Sequence, residues 1–125
     1  MGERILIVDD GKSLCNILSR RLAKDGYRCA IASNADEAVS YLEKDYFSLI
    51  ISDIRMPGVD GMKLLRGVKS IRPEVMLIIM TGYPELDLAT QAIHLRAYDF
   101  IVKPFDFELM VLVVERALKS RVLKG

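Results

Sequence analysis

Arg4-Ile5-Leu6-Ile7-Val8-Asp9-Asp10 decides the fold. A short β-rich apolar run ends on two adjacent acids, which is the form of a strand buried on both faces of a sheet. Runs of the same kind recur at Tyr27 to Ala32, Leu49 to Ser52, Val75 to Met80 and Tyr98 to Val102. Amphipathic stretches follow each of them. Their apolar positions are Leu14, Ile17, Leu18 and Leu22, then Ala35, Ala38, Val39 and Leu42, then Leu64, Leu65, Val68 and Ile71. Ala89, Ala92 and Ile93 mark the fourth, and Leu109, Leu112, Val113 and Ala117 the fifth. Strict alternation of strand and helix predicts an α/β fold, a five-stranded parallel sheet with helices on both faces.

Local signals agree with these boundaries. Ser33 or Asn34 can cap the second helix, with Asp36 or Glu37 falling at the third helical position as in a capping box. Pro84 suits the first turn of the fourth helix. Asp106 can cap the fifth, where Phe105 and Met110 have the spacing of a hydrophobic staple, and Gly26 and Gly82 stand at element junctions.

The chain of 125 residues fits one domain with a substantial core. Its net charge of +1 is spread without a basic stripe or an acidic tail, so neither direct nucleic-acid binding nor a basic partner is indicated. The apolar residues, 51% of the total, come in runs too short to cross a bilayer. No secretory signal is visible ahead of the first strand, and a cytoplasmic location is the expectation. Cys15 and Cys29 have neither metal-site nor redox spacing and are expected as free, buried thiols.

In an open parallel sheet the ligand site lies beyond the carboxyl ends of the strands, where strand order reverses. The strand ends carry Asp9 and Asp10, Asp53, Thr81 and Lys103. With an order of 2-1-3-4-5, the first and third strands are neighbours and three carboxylates converge. One strand-terminal Asp is commonly no more than a turn or cap residue, but four matched ends form a constellation. Mutual repulsion of the carboxylates is relieved by protons or by a hard divalent ion, Mg²⁺ above all, with Mn²⁺ able to substitute. Asp10 would then be a direct ligand, Asp9 direct or through water and Asp53 shared, with the Arg55 backbone carbonyl completing the set. Asp53 is the candidate nucleophile toward phosphorus, Lys103 the cation for a phosphoryl oxygen, and Thr81 a hydroxyl donor to another.

Ile5-Leu6-Ile7-Val8-Asp9-Asp10, Ser52-Asp53-Ile54-Arg55-Met56-Pro57-Gly58, Thr81-Gly82-Tyr83 and Lys103-Pro104-Phe105 together resemble the receiver domains of bacterial two-component response regulators over nearly the whole chain. The likeness implies a flavodoxin-like, doubly wound (βα)5 fold. It implies Mg²⁺-dependent transfer from the phosphohistidine of a sensor histidine kinase onto Asp53, and slow self-catalysed loss of the phosphate. It further implies a cis bond at Lys103-Pro104 and a switch pair of Thr81 and Phe100, in which on phosphorylation Thr81 would move toward the phosphoryl group and Phe100 would turn inward to fill the vacated space. Thr81-Gly82-Tyr83 and Ala97-Tyr98-Asp99-Phe100-Ile101 look most like receivers of the nitrogen-regulation class of transcriptional activators, so the chain is expected to be a stand-alone regulator or the N-terminal part of a longer one.

Gly11 departs from the family's usual third polar residue, and Arg96 stands where the family often has glycine. Phe107, Met110, Val114 and Leu118 form a second apolar stripe on the fifth helix, and Leu88 and Leu95 add to the fourth. Together they suggest a homodimer through the face made by the fourth helix, fifth strand and fifth helix. His94 is read as a solvated residue and the six methionines as packing. A flavin carrier lacks its phosphate loop after the first strand here, and an aspartyl phosphohydrolase would want an acid where Arg55 stands. A receiver that no longer accepts phosphate and acts as an interaction module is the alternative within the family.

Overall fold

The computed structural model describes residues 2–53, 55–56, 59–60, 66–68, 70, 72–82 and 96–124. Five strands form one parallel sheet: β1 (Arg4–Val8), β2 (Arg28–Ala32), β3 (Leu49–Asp53), β4 (Met76–Thr81) and β5 (Asp99–Val102), in the order 2-1-3-4-5. The helices α1 (Lys12–Lys24), α2 (Ala35–Lys44) and a last helix, Phe107–Lys124, alternate with them. Residues Arg55–Met56 and Val59–Asp60 pair as a small antiparallel ladder just beyond β3. The third-helix positions Leu64, Leu65 and Ile71, all the fourth-helix positions including Pro84, Leu88, His94 and Leu95, and Tyr83 lie outside the described residues.

Every central strand packs on two faces, as its unbroken apolar run requires. Ile5, Ile7, Leu49, Ile51, Ile78, Met80 and Ile101 face one core cluster with α1 and the last helix. Leu6, Val8, Ile50, Leu77 and Ile79 face the other, with Ala38 of α2 and Val68. This alternation along each strand makes the doubly wound fold a direct result of period-2 geometry. Among the described residues no helix is long and apolar enough to cross a membrane.

Helix starts follow the expected chemistry with one variation. Asn34 caps α2, its side chain accepting the Glu37 backbone N–H at 2.9 Å, while the Glu37 carboxylate accepts the N–H of Ser33, one residue before the cap, at 2.6 Å. Asp106 accepts the N–H of Glu108 at 2.8 Å, and Phe105 packs against the apolar cluster that contains Met110, in keeping with the staple spacing. Gly26 closes α1 at φ +90°, a left-handed position that suits glycine.

The last helix corrects the sequence reading. Met110, Val114 and Leu118, expected on an outer stripe, are buried with Val111, Val113 and Ala117. Leu109 and Leu112, expected in the core, are 49% and 42% exposed. Apolar residues surround most of this helix, so spacing alone does not select a face; Met110, at the staple position, lies in the cluster that Phe105 packs against. Ile17 and Val39 are likewise exposed, and Cys15 takes the inner place on α1 with Leu18 and Leu22. Both thiols are free, Cys15 buried and Cys29 half-buried, and burial pushes each up to about 11.

Arg21 joins α1 to the last helix through a paired contact with Glu108, at 2.6 and 2.8 Å, and also meets Asp25 at 3.2 Å. The hydrogen bond from Arg21 holds the Glu108 carboxyl below its ordinary range. A carboxyl depressed in the folded state contributes stability that is present above its unfolded value, 4.5, and lost as pH falls through the folded one. The stability difference between the parent and Glu108→Gln should therefore vanish on acidification below pH 4.5, read from urea midpoints along a pH series.

Arg96 sits at φ +61°, which accounts for the resemblance's preference for glycine there. The left-handed region costs a side-chain-bearing residue about 1–2 kcal/mol, part of which glycine returns through its freer unfolded chain. Arg96→Gly is expected to raise stability by about 0.5–1 kcal/mol, seen as a higher urea midpoint at unchanged slope.

Candidate phosphoacceptor and metal site

The parallel register brings the carboxyl ends of β1, β3, β4 and β5 to one edge of the sheet. Val8 pairs with Ser52, Asp53 with Met80, and Thr81 with Val102. The residues that follow or end these strands are therefore neighbours in space. Asp9 is 2% exposed, Asp53 7% and Thr81 fully buried, while Asp10 faces solvent. One oxygen from each of Asp9, Asp10 and Asp53 lies within 4.8 Å of the others. At an effective dielectric near 20, unit charges so close repel by roughly 3 kcal/mol per pair.

Lys103 balances this charge. Its ammonium donates to Asp9 Oδ2 at 2.5 Å and to Asp53 Oδ2 at 2.8 Å. Burial pulls the ammonium's pKa down, but the hydrogen bonds it donates to Asp53 and Asp9 outweigh this and leave the pKa above its ordinary value. The Lys103–Pro104 bond is cis, as the resemblance implies, and the Lys103 backbone N–H donates to the Thr81 carbonyl at 2.7 Å. That bond joins the ends of β4 and β5, so Thr81 and Lys103 are held as one unit.

The turn after β1 is also fixed. The Asp9 N–H donates to the Ala32 carbonyl at 3.0 Å, and Asp9 Oδ1 accepts from the Gly11 backbone N–H at 2.8 Å. Gly11 starts α1 with no side-chain cap, and a Cβ there would lie 3.2 Å from Asp9 Oδ1. The missing polar side chain thus leaves the backbone close to the carboxylate. The Cys15 thiol donates to the Asp9 carbonyl at 3.5 Å, a contact that sequence spacing did not suggest. The Ser52 hydroxyl, which the pattern of strand ends does not reach, donates to the Asp53 carbonyl at 3.0 Å from a fully buried position. The signal for it was a polar residue inside an apolar strand.

Of the residues singled out in the sequence, the structure brings Asp9, Asp10, Asp53 and Lys103 together and sets Thr81 beside them. Arg55 lies two residues past Asp53, its backbone in the short ladder opposite Asp60. Phe100 is half-buried against the cluster on the α2 side, one strand position beyond Asp99. Three converging oxygens with hard-donor chemistry fit a divalent cation.

A doubly wound parallel sheet with an acidic cluster and a lysine at its carboxyl edge defines a carboxylate-centred phosphotransfer module. The family model for the response regulator receiver domain matches residues 5–115, and the chain belongs to that family. It is 39% identical over 114 residues to the transcriptional regulatory protein ZraR of Klebsiella oxytoca, covering 91% of this chain and 26% of that protein. It is 40% identical over 114 residues to the DNA-binding transcriptional regulator NtrC of Salmonella typhimurium, covering 91% and 24%. The chain thus spans about a quarter of the length of these relatives. Among solved structures, a CheY-like receiver domain protein from Methanospirillum hungatei superposes over 100% of both chains with a TM-score of 0.96 and 29% identity. NtrX from Brucella abortus, solved with ATP, matches with a TM-score of 0.92 and 34% identity over 99% of this chain and 28% of its own. The clustered Asp9, Asp10 and Asp53 form the site typical of these phosphotransfer regulators.

Removing the ammonium from Asp9 and Asp53 leaves their charge for a metal ion to neutralise. Lys103→Met is therefore expected to bind Mg²⁺ about tenfold more tightly than the parent, measured by calorimetric titration.

Proposed function

We infer that this receiver takes a phosphoryl group onto Asp53 from the phosphohistidine of a sensor histidine kinase. The observation that carries the reading is the bridge from Lys103 to both Asp9 and Asp53, which sets a buried carboxylate, a movable cation and two further acids within one contact sphere. An Asp53 carboxylate oxygen attacks phosphorus, the new P–O bond forms as the P–N bond breaks, and the imidazole nitrogen leaves with the bonding pair and takes up a proton. Lys103 follows the transferred charge by pairing with a phosphoryl oxygen, and the Thr81 hydroxyl donates to another.

Asp9, Asp10, Asp53 and the Arg55 carbonyl would hold Mg²⁺, or Mn²⁺ in its place. The ion's contribution is neutralisation of charge on the phosphoryl oxygens. Thr81 and Phe100 form the switch: as Thr81 turns toward the phosphoryl group, Phe100 moves inward from its half-buried place. The chemistry ends at the domain's own phosphorylation and dephosphorylation. The chain spans about a quarter of ZraR and of NtrC, both transcriptional regulators, which supports reading this domain as part of a longer regulator whose output is transcription.

A homodimer through the β5 edge and the last helix fits the exposed side chains Tyr98, Val102, Leu109 and Leu112. This surface replaces the Met110, Val114 and Leu118 stripe expected from sequence. The beryllofluoride-activated NtrC4 receiver domain, 33% identical with a TM-score of 0.89, was solved as a dimer.

Incubation with acetyl phosphate and Mg²⁺ should add one phosphoryl unit, roughly 80 Da, to the parent and none to Asp53→Asn or to the parent without metal, read by intact-mass spectrometry. An unmodified parent would defeat the reading. Light scattering with beryllofluoride should show a dimer, and Leu109→Glu with Leu112→Glu should keep the phosphorylated domain monomeric while leaving the mass gain intact.

A further inference from the structure

Every residue of β3 is buried, and four of the five have obvious reasons to be where they are. Leu49, Ile50 and Ile51 fill the two cores, and Asp53 belongs to the site. Ser52 does not fit this pattern. It lies between Val8 and Ile79 in the register, and strand alternation sets it on the face of Ile50, among the apolar residues of the α2-side cluster. An alanine or valine would occupy that place without removing a hydroxyl from water.

Among the described residues the hydroxyl has one hydrogen-bond partner. It donates to the carbonyl oxygen of Asp53 at 3.0 Å. We propose that Ser52 is a positioning residue: by holding that carbonyl it fixes rotation about the Cα–C bond of Asp53, and so sets the angle at which the chain leaves the reacting carboxylate. The backbone of Arg55 follows two residues on, so this torsion is one of those that set how the Asp53 carboxylate stands relative to the next stretch of the site. In-line attack on phosphorus is sensitive to such alignment, and a small rotation beside the reacting atom misplaces it without disturbing the fold. The inference rests on the reading of Asp53 as phosphoacceptor.

The test compares phosphorylation rates by acetyl phosphate at saturating Mg²⁺ for the parent, Ser52→Ala, Ser52→Thr and Ser52→Val, with urea midpoints as the measure of folding. Ser52→Ala should fold as the parent does and react about three- to tenfold more slowly, the factor to which the net worth of one hydrogen bond converts. Thr and Val have nearly the same shape, so any strain from the added methyl groups is common to both. Thr, which keeps the hydroxyl, should exceed Val by the same factor of about three to ten. Equal rates for Ser52→Ala and the parent overturn the proposal, as do equal rates for the Thr and Val variants. A parent that takes up no phosphoryl group overturns the assignment of Asp53 itself, and is told apart because it is seen before any variant is compared.

Discussion

Three carboxylates held at adjacent strand ends are the constraint on which this structure turns. The parallel register leaves them no room to separate, because β1 and β3 are hydrogen-bonded neighbours and Asp9 and Asp53 leave the same edge of the sheet. The repulsion between them opposes folding unless opposite charge is brought in. Lys103 supplies it from the far side of β4, and the loop that carries Lys103 must be fixed accordingly. The N–H bond to Thr81, the Asp106 cap and the packing of Phe105 all anchor that loop. One electrostatic requirement thus dictates local structure across half the sheet.

The two apolar clusters provide the rigidity this arrangement needs. Each central strand contributes to both, so a strand cannot twist or slide without disturbing two packed faces at once. The site gains a firm base from this, while its outermost carboxylate, Asp10, remains open to solvent. Firm strands and an accessible edge are what a module needs if its chemistry is to be repeatable and still reachable by a partner.

Strand positions were readable because continuous apolar runs such as Ile5 to Val8 admit little else, and the site was readable because it consists of the residues that end those runs. The face of the last helix was not readable from periodicity. With apolar side chains at 107, 109 to 114, 117 and 118, several faces satisfy a helical period equally well. Met110, at the staple position, lies in the apolar cluster that Phe105 packs against, while Leu109 and Leu112 face outward. Contacts of the backbone with side chains, such as Ser52 with the Asp53 carbonyl, were illegible for a different reason. They depend on where a carbonyl points, which residue types do not record. Arg96 lay between these cases: its identity marked a departure from the family, and only the backbone showed that the departure carries strain.

The start of α1 has a consequence for how positive charge is divided in the site. No acidic residue lies in its first turn and no side chain caps it, so the unshielded amide end of the helix opens directly after Asp9, whose carboxylate already takes the Gly11 N–H. Aligned peptide dipoles give such an end the equivalent of about half a positive charge. That charge belongs to the backbone and can neither titrate nor swing away. Asp9 and Asp53 are therefore served by two kinds of cation, one anchored in α1 and one at the tip of the Lys103 side chain. Were the lysine drawn away, Asp9 would keep its helix.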